Sequence, residues 1–331
     1  MKGHFERPER VTETVKYLKT IYSKDLFLEP KYTNELYPDV HDILTLVYSK
    51  NYIESLVSTE LDKCNKCFSK FTNGYCSPCK KDLGENDKIT HFGSHDNYWT
   101  WKTFQIICES IYVLKQTVDE MIEKNIPYGY ALIRPPGHHS CRDSASGFCY
   151  FNNVILMAKY LQSEGYKSIC ILDYDYHIGD GTNKLIEENE NIYLASIHAA
   201  NAFPYNFKYS DSINDKCMNI DVLPIDDTNT DNMDTNDSNK EINKHCLNVI
   251  TGQIVPFFKS VNPDFIIVSN GLDSHILDPL TRGFNVDNKF YIEVAKILKE
   301  FDVPLLYVLE GGYNVEVIKT VSHDIIRTLL N

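Results

Sequence analysis

Residues 168–181 read SICILDYDYHIGDG. Ser168–Leu172 is a short apolar run, the pattern of a strand buried on both faces. Directly after it, Asp173, Asp175 and His177 occupy every second position. In extended chain such side chains face the same way. Two carboxylates and an imidazole on one face are a divalent-metal signature, and N/O ligands suit zinc or iron(II). A polar cluster that only satisfies hydrogen bonds is the weaker reading, because three titratable groups on one buried face need compensating charge. A catalytic zinc site has three protein ligands and one open position. Asp175 and His177 supply two ligands, and Asp273, from another strand end, is the natural third.

The same strand-then-polar pattern recurs on both sides. Tyr130–Ile133 is a short apolar run, and Ile192–Ile197, Phe265–Ser269 and Leu305–Leu309 read as strands. Between and around them, helical spacing covers a segment opened by Pro8, Phe104–Ile122, Asn152–Glu164 (stopped by Gly165), Glu241–Lys259, Asn288–Glu300 and Val315–Leu330. Apolar strands alternating with amphipathic helices imply an α/β fold with a mostly parallel sheet covered on both faces. Ligands of such sheets bind outside the carboxyl ends of the strands. Those ends carry Arg134-Pro135-Pro136-Gly137-His138-His139, Asp173–Gly181, His198, Asn270-Gly271-Leu272-Asp273 and Glu310-Gly311-Gly312-Tyr313. One such His or Asp is usually a turn residue, but five strand ends delivering His, Asp and Tyr to one rim point to chemistry. Adjacent histidines in a tight turn do not readily share one metal. They can act as a general base and an electrostatic partner, each with a carboxylate to fix its tautomer, and Asp173 and Asp180 are available. Tyr313, in a Gly-Gly-Tyr turn, could present a phenol to an oxyanion. Taken alone it reads as a packing residue.

The chain has 331 residues, 43% hydrophobic and 24% charged, an ordinary globular mixture that excludes a disordered or collagen-like chain. Its net charge of −13 argues against direct nucleic-acid binding and weakly favours a cationic substrate. No apolar run reaches the ~20 residues that span a bilayer. The start carries no signal-peptide pattern, and ten cysteines without one suggest a reducing, intracellular compartment, cytoplasm or nucleus.

The whole chain, 1–331, reads as one domain with two interruptions. Residues 226–243 are almost entirely Asp, Asn, Thr and Lys, the composition of a solvated flexible loop. Residues 62–90 hold Cys64-x2-Cys67-x8-Cys76-x2-Cys79, a spacing that matches a four-cysteine structural zinc site. Reduced thiols on a loop are the alternative. The remaining cysteines read as small core residues.

Taken together the motifs resemble the zinc-dependent histone deacetylase family of the arginase–deacetylase fold, whose central sheet is of an eight-stranded type. The resemblance rests on Gly3–Arg10 (GHFERPER), Arg134–His139 (RPPGHH), Gly147–Asn153 (GFCYFNN), Asp173–Gly181, Gly271-Leu272-Asp273 with Asp278-Pro279, and Leu309–Tyr313 (LEGGY), in the family's order. The RPPGHH and LEGGY forms are closest to class II deacetylases and acetylpolyamine amidohydrolases. It implies zinc ligands Asp175, His177 and Asp273. It implies His139 as general base paired with Asp180, His138 as electrostatic partner paired with Asp173, and Tyr313 as donor to the scissile carbonyl. It implies a substrate tunnel at Gly147, Phe148, Phe203 and Leu280. It further implies a monovalent-cation site, usually potassium, at Asp173, Asp175, His177, Ser196 and the Ile197 carbonyl. The expected partner is an acetylated protein or peptide, histone tails included. An acetylpolyamine substrate and a non-catalytic acetyl-lysine-binding module are the competing expectations, and Leu280, apolar where an acidic gatekeeper would favour polyamines, favours acetyl-lysine. Three departures stand out, the first being Ile178, where the family commonly has a second His that is not a ligand. The chain begins at the GHxERPxR motif, where relatives carry a first strand before it, and the Cys-rich insertion is absent from common relatives.

Overall fold

The computed structural model describes residues 4–31, 36–64, 66, 70, 72–73, 75–205, 208, 211–223, 235–282 and 284–331, with the side chains at 36–37, 64 and 235–239 excepted. Helix α1 (Glu9–Lys19) is followed by α2 (Leu36–Thr45) and α3 (Lys50–Val57). Five short strands come next: β1 (Lys63–Cys64), β2 (Tyr75–Cys76), β3 (Lys81–Asp82), β4 (Lys88–His91) and β5 (Tyr98–Trp99). The α/β body then runs α4 (Thr103–Glu123), β6 (Tyr128–Ala131), α5 (Asn153–Ser163), β7 (Ile169–Asp173), α6 (Asp180–Glu187), β8 (Ile192–Ala199), β9 (Cys217–Val222) and α7 (Thr235–Val249). A π-helical stretch, Ile250–Ile254, leads into α8 (Val255–Val261), and the chain closes with β10 (Phe265–Asn270), α9 (Asn288–Lys299), β11 (Leu305–Leu309) and α10 (Val315–Leu330).

The central sheet is wholly parallel, in the order β6-β11-β10-β7-β8-β9. It has six strands among the described residues, short of the eight of the expected type. Alternate residues of each strand feed two cores. Ile169, Ile171, Phe265 and Ile267 join the helices α2–α6, while Cys170, Leu172, Ile266 and Val268 join α7–α10. Burial on both faces is why these strands read as continuous apolar runs. The chain leaves β7 toward β8 but leaves β10 toward β11, the opposite direction. The crevice between the carboxyl ends of β7 and β10 is therefore a topological switch point.

Side-chain caps fix several of the helix starts. Asn152 accepts from Ile155 N, Asp287 from Lys289 N and Asn314 from Glu316 N. Past α5, Gly165 takes φ +101°, the expected stop. The helix expected over 241–259 is interrupted by its π turn. Pro256, at the start of α8, offers no N–H to the ladder, and the register shifts there.

The loop expected over 226–243 needs correction at its end. Thr235–Val249 is helical, and Ile242 and Asn243 are buried. Packing of Ile242, Cys246 and Val249 in the core outweighs the polar composition before them. Residues 226–234 lie outside the described residues.

The Cys-containing excursion is built from minimal elements. β1, β4 and β5 form an antiparallel sheet, and β2 pairs with β3. Its own small core is Cys76 and Leu83 with Cys79 against them. Cys67 and the Cys64 side chain lie outside the described residues. Among the described residues no helix is long and apolar enough to cross a membrane.

Candidate active site

The switch-point crevice gathers Asp175 and His177, just past β7, with Asp273, just past β10. One ligand atom from each lies within 4.8 Å of the others. His177 Nδ1 is 3.2 Å from both Asp175 Oδ1 and Asp273 Oδ2. Strand alternation is not what aligns them, because β7 ends at Asp173 and residues 174–179 form a turn before α6. Hydrogen bonds shape that turn. Asp173 Oδ1 accepts Asp175 N (3.0 Å), Asp175 Oδ1 accepts His177 N (2.9 Å), and Asp273 Oδ1 accepts Tyr176 N (3.1 Å).

These donors fit a divalent cation. Asp273 Oδ2 is buried, and its approach to His177 lacks hydrogen-bond geometry. Burial and the Asp175 charge push the Asp273 carboxyl up to about 6, against the pull of His177. Burial opposes ionisation of Asp175 too, but His138 and His177 hold it well below the usual carboxylate range. Burial pulls His177 down, yet the two carboxylates raise it to about 9. Two carboxylates pressed together in a low-dielectric crevice repel unless a cation sits between them. Gly311 leaves the room: a Cβ there would lie 2.4 Å from Asp273 Oδ2 and 2.5 Å from Asp175 Oδ2.

The loop after β6 brings in the histidine pair, with ring centroids 4.1 Å apart. Glu310, at the end of β11, orients that loop: its Oε2 accepts Gly137 N (2.6 Å) and His138 N (3.2 Å). His138 Nδ1 meets Asp173 Oδ2 at 3.1 Å, and His139 Nδ1 meets Asp180 Oδ1 at 2.8 Å. The two rings are driven apart in protonation. Burial opposes the charge on His138, but Asp175 and Asp173 raise it well above the ordinary histidine value. His139 is lowered by burial and by the charge on His138, against Asp180. The two neighbouring imidazoles are thus shifted in opposite directions, the separation that marks acid–base work.

Tyr313 follows β11 and is buried. Burial and the Asp273 carboxylate raise its phenol well above the ordinary value, so it stays a donor. Asp278 Oδ2 accepts Tyr313 N (2.6 Å) and Asn314 N (3.0 Å). Phe148 lies 5.9 Å from Tyr313, and Phe203 lies 4.9 Å edge-on to His139. Phe148 has φ +67°, a left-handed conformation that costs a non-glycine residue about 1–2 kcal/mol. Gly147, φ +54°, packs under His139, where a Cβ would come within 2.3 Å of the ring. Leu280 is half-buried, and its N–H donates to Asp278 Oδ1 (3.1 Å). Ser196 pairs in register with Asp173 across β7 and β8, and Ile197 is buried beside it. His198 Nδ1 pairs with Ser196 Oγ (2.8 Å), and its Nε2 lies 2.9 Å from Asp221 Oδ1 without hydrogen-bond geometry.

Sequence reasoning gave no role to the clamp behind Tyr313. Arg10 is fully buried, donates to the carbonyls of Gly312 (2.5 Å) and Glu310, and lies 5.0 Å from the Tyr313 ring centroid. Glu6 makes a bidentate pair with Arg134 (2.7 and 2.5 Å). The Glu6-x3-Arg10 spacing was the available signal. A cavity of about 420 Å³ lies elsewhere, between α1, α10 and β6, and touches none of these residues.

The model of the histone deacetylase domain matches residues 4–329. Histone deacetylase 14, chloroplastic, of Arabidopsis thaliana is 33% identical over 72% of this chain and 56% of its own length. Histone deacetylase 10, chloroplastic, of Oryza sativa subsp. japonica is 28% identical over 99% of this chain and 70% of its own. Acetylpolyamine amidohydrolase 1 of Pseudomonas aeruginosa is 28% identical over 65% of this chain and 59% of its own. The chain thus spans little more than half of some curated relatives. Among solved structures, the HDA15 HD domain superposes with TM-score 0.74 at 22% identity, covering 99% of this chain and 82% of that one. The acetylpolyamine aminohydrolase of Burkholderia pseudomallei superposes with TM-score 0.72 at 19% identity, covering 98% and 90%. Both show the same fold.

Proposed function

Because the chain belongs to the histone deacetylase family, we propose that its switch-point crevice hydrolyses the acetyl amide of acetyl-lysine in a protein or peptide. The products are acetate and a free amine. The observation that carries this reading is geometric: the His138–Asp173 and His139–Asp180 pairs stand beside the Asp175, His177 and Asp273 cluster. Asp175, His177 and Asp273 would hold zinc, which when bound supplies Lewis acidity toward an acyl oxygen and a water. His139, kept neutral by burial and by His138, takes the proton of the attacking water and returns it to the leaving nitrogen as the C–N bond breaks. Asp180 fixes its tautomer from Nδ1. His138, held charged between Asp173 and Asp175, offsets negative charge developing in the crevice. Tyr313, kept protonated, donates to the acyl oxygen. Phe148 and Phe203 wall the passage for the lysine's aliphatic linker and exclude water. Asp173, Asp175, His177, Ser196 and the Ile197 carbonyl would hold potassium, and Cys64, Cys67, Cys76 and Cys79 a second, structural zinc.

The similarity to an acetylpolyamine amidohydrolase favours a second reading, the same chemistry on a slim cation. Leu280 argues for acetyl-lysine, because an apolar side chain offers no partner to an ammonium. A silent acetyl-lysine-binding module has no use for a neutral base beside a protonated phenol. The test is hydroxamate-sensitive acetate release from an acetyl-lysine peptide, run beside acetylspermidine. Peptide turnover exceeding polyamine turnover supports the proposal. The reverse order replaces the substrate, and no release with either refutes catalysis.

A further inference from the structure

The β4–β5 hairpin ends in the turn 92–97, whose last residue, Asn97, has no solvent exposure. Its Oδ1 takes a long bond from Ser94 Oγ (3.4 Å) in its own turn, and its shorter bonds reach into another turn. Nδ2 donates to the Cys149 carbonyl at 2.9 Å, and Oδ1 accepts the Phe148 N–H at 2.7 Å. The receiving turn is 146–149. Cys149 N donates to Ser146 O (2.8 Å) and Ser146 N to Cys149 O (3.2 Å), with positive φ at both central residues. That is the arrangement of a type I′ turn, which a glycine accepts and a phenylalanine resists. In such a turn the N–H of the second central residue has no partner within the turn, and with Phe148 half-buried an acceptor from the protein satisfies it. Asn97 provides it.

Two parts of the site hang on this turn. Phe148 packs against Tyr313 and, at 4.9 Å, against His4, while Gly147 seats the His139 ring. The hairpin is fastened nearby as well, since the Tyr150 hydroxyl donates to Tyr98 O (2.6 Å) and the Trp99 ring lies 5.4 Å from Tyr150. On its far edge β4 pairs with β1, the strand that opens the Cys-containing excursion. The hairpin is thus a continuous backbone link between that excursion and the passage wall.

We propose that Asn97 is a positioning residue. It holds the 146–149 turn in its left-handed form, and through the turn it sets both the Phe148 wall and the seat of His139. Its kinetic consequence rests on the deacetylase reading; its consequence for the turn does not. The experiment compares Asn97→Ala and Asn97→Asp with the wild-type chain by amide hydrogen exchange over 146–149, bound-metal content, and kcat and KM on an acetyl-lysine peptide. Asn97→Ala removes both contacts, so Phe148 should exchange ~10-fold faster or more, as for loss of a buried hydrogen bond. KM should rise ~10-fold, more than kcat falls, with metal content unchanged, because Asn97 touches no metal-cluster residue. Asn97→Asp keeps the acceptor and loses the donor, so it should protect Phe148 and raise KM less. Wild-type exchange at Phe148 in Asn97→Ala overturns the proposal, as does a KM unchanged in both variants of an active enzyme. If Asn97→Ala does not fold, Asn97→Asp decides: a raised KM with Phe148 protected supports the clamp, and wild-type KM overturns it. A wild-type chain inactive on the peptide defeats the deacetylase reading, and the exchange measurement still decides the clamp.

Discussion

Two regions of this molecule are rich in metal-ligating side chains, and they are built in opposite ways. The strand-end crevice stands on a six-stranded parallel sheet packed on both faces, with its carboxylates held by backbone N–H groups from neighbouring strands. Among the described residues, the 62–90 excursion has strands of two to four residues and its own core cluster is Cys76 and Leu83 with Cys79 against them. The crevice can keep its shape without an ion, because the fold has already paid the ordering entropy. The excursion has too little apolar burial to do so, and a four-cysteine metal staple is the proposed remedy. One region would position a metal; the other would be positioned by one.

Metal removal separates them most sharply. Exhaustive chelation should abolish turnover and restoring zinc should recover it, while far-UV circular dichroism stays near native. Limited proteolysis of the metal-free protein should cut first within 62–90. Equal resistance there with and without metal would break the contrast. Within the crevice, His139→Ala should lower kcat by ~10²–10⁴-fold, the range of a lost general base, with metal content retained. Loss of metal in that variant would move His139 into the ligand set. Tyr313→Phe should cost ~10²-fold in kcat through loss of an oxyanion donor, and near wild-type turnover would remove that role.

A pH profile probes the electrostatics more gently. Burial and His138 already lower His139, and Asp180 raises it. The acid limb of kcat/KM should therefore fall below that of an ordinary histidine. In Asp180→Asn it should move lower still, because the raising carboxylate is gone, with kcat also reduced by the lost tautomer lock. A limb that moves upward would contradict this assignment. The smallest effect on turnover belongs to the excursion. Cys76→Ser should remove the structural zinc equivalent and loosen the rim while leaving kcat near wild type. Unchanged zinc stoichiometry would end the four-cysteine proposal.

How far the sequence could be read follows from the same contrast. Leu305–Leu309 and Val315–Leu330 were readable to the residue, because a strand buried on both faces and a strongly amphipathic helix each leave one pattern. The crevice was readable because parallel strands put their polar ends on one side. β9 was not, since Asn219 and Asp221 break its apolar run: Asn219 is buried and donates to Asn183 Oδ1, and Asp221 lies 2.9 Å from His198 Nε2. Helix α6 was missed because Asp, Gly, Thr and Asn at its start are weak helix formers, and packing against β8 overrides them. The helical end of the 226–243 segment was hidden by the polar residues before it. The Glu6–Arg134 pair joins residues 128 apart, and Asn97 acts on a turn some fifty residues away. No local periodicity announces such contacts.

The central claim is that this crevice is a zinc-dependent acetyl-lysine hydrolase. Its most direct test is acetate release from an acetyl-lysine peptide by metal-free protein titrated with zinc, with acetylspermidine in parallel. No release is expected without metal, with recovery as the crevice fills and faster turnover of the peptide than of the polyamine. Release by the metal-free protein, or none after zinc is restored, would contradict the claim.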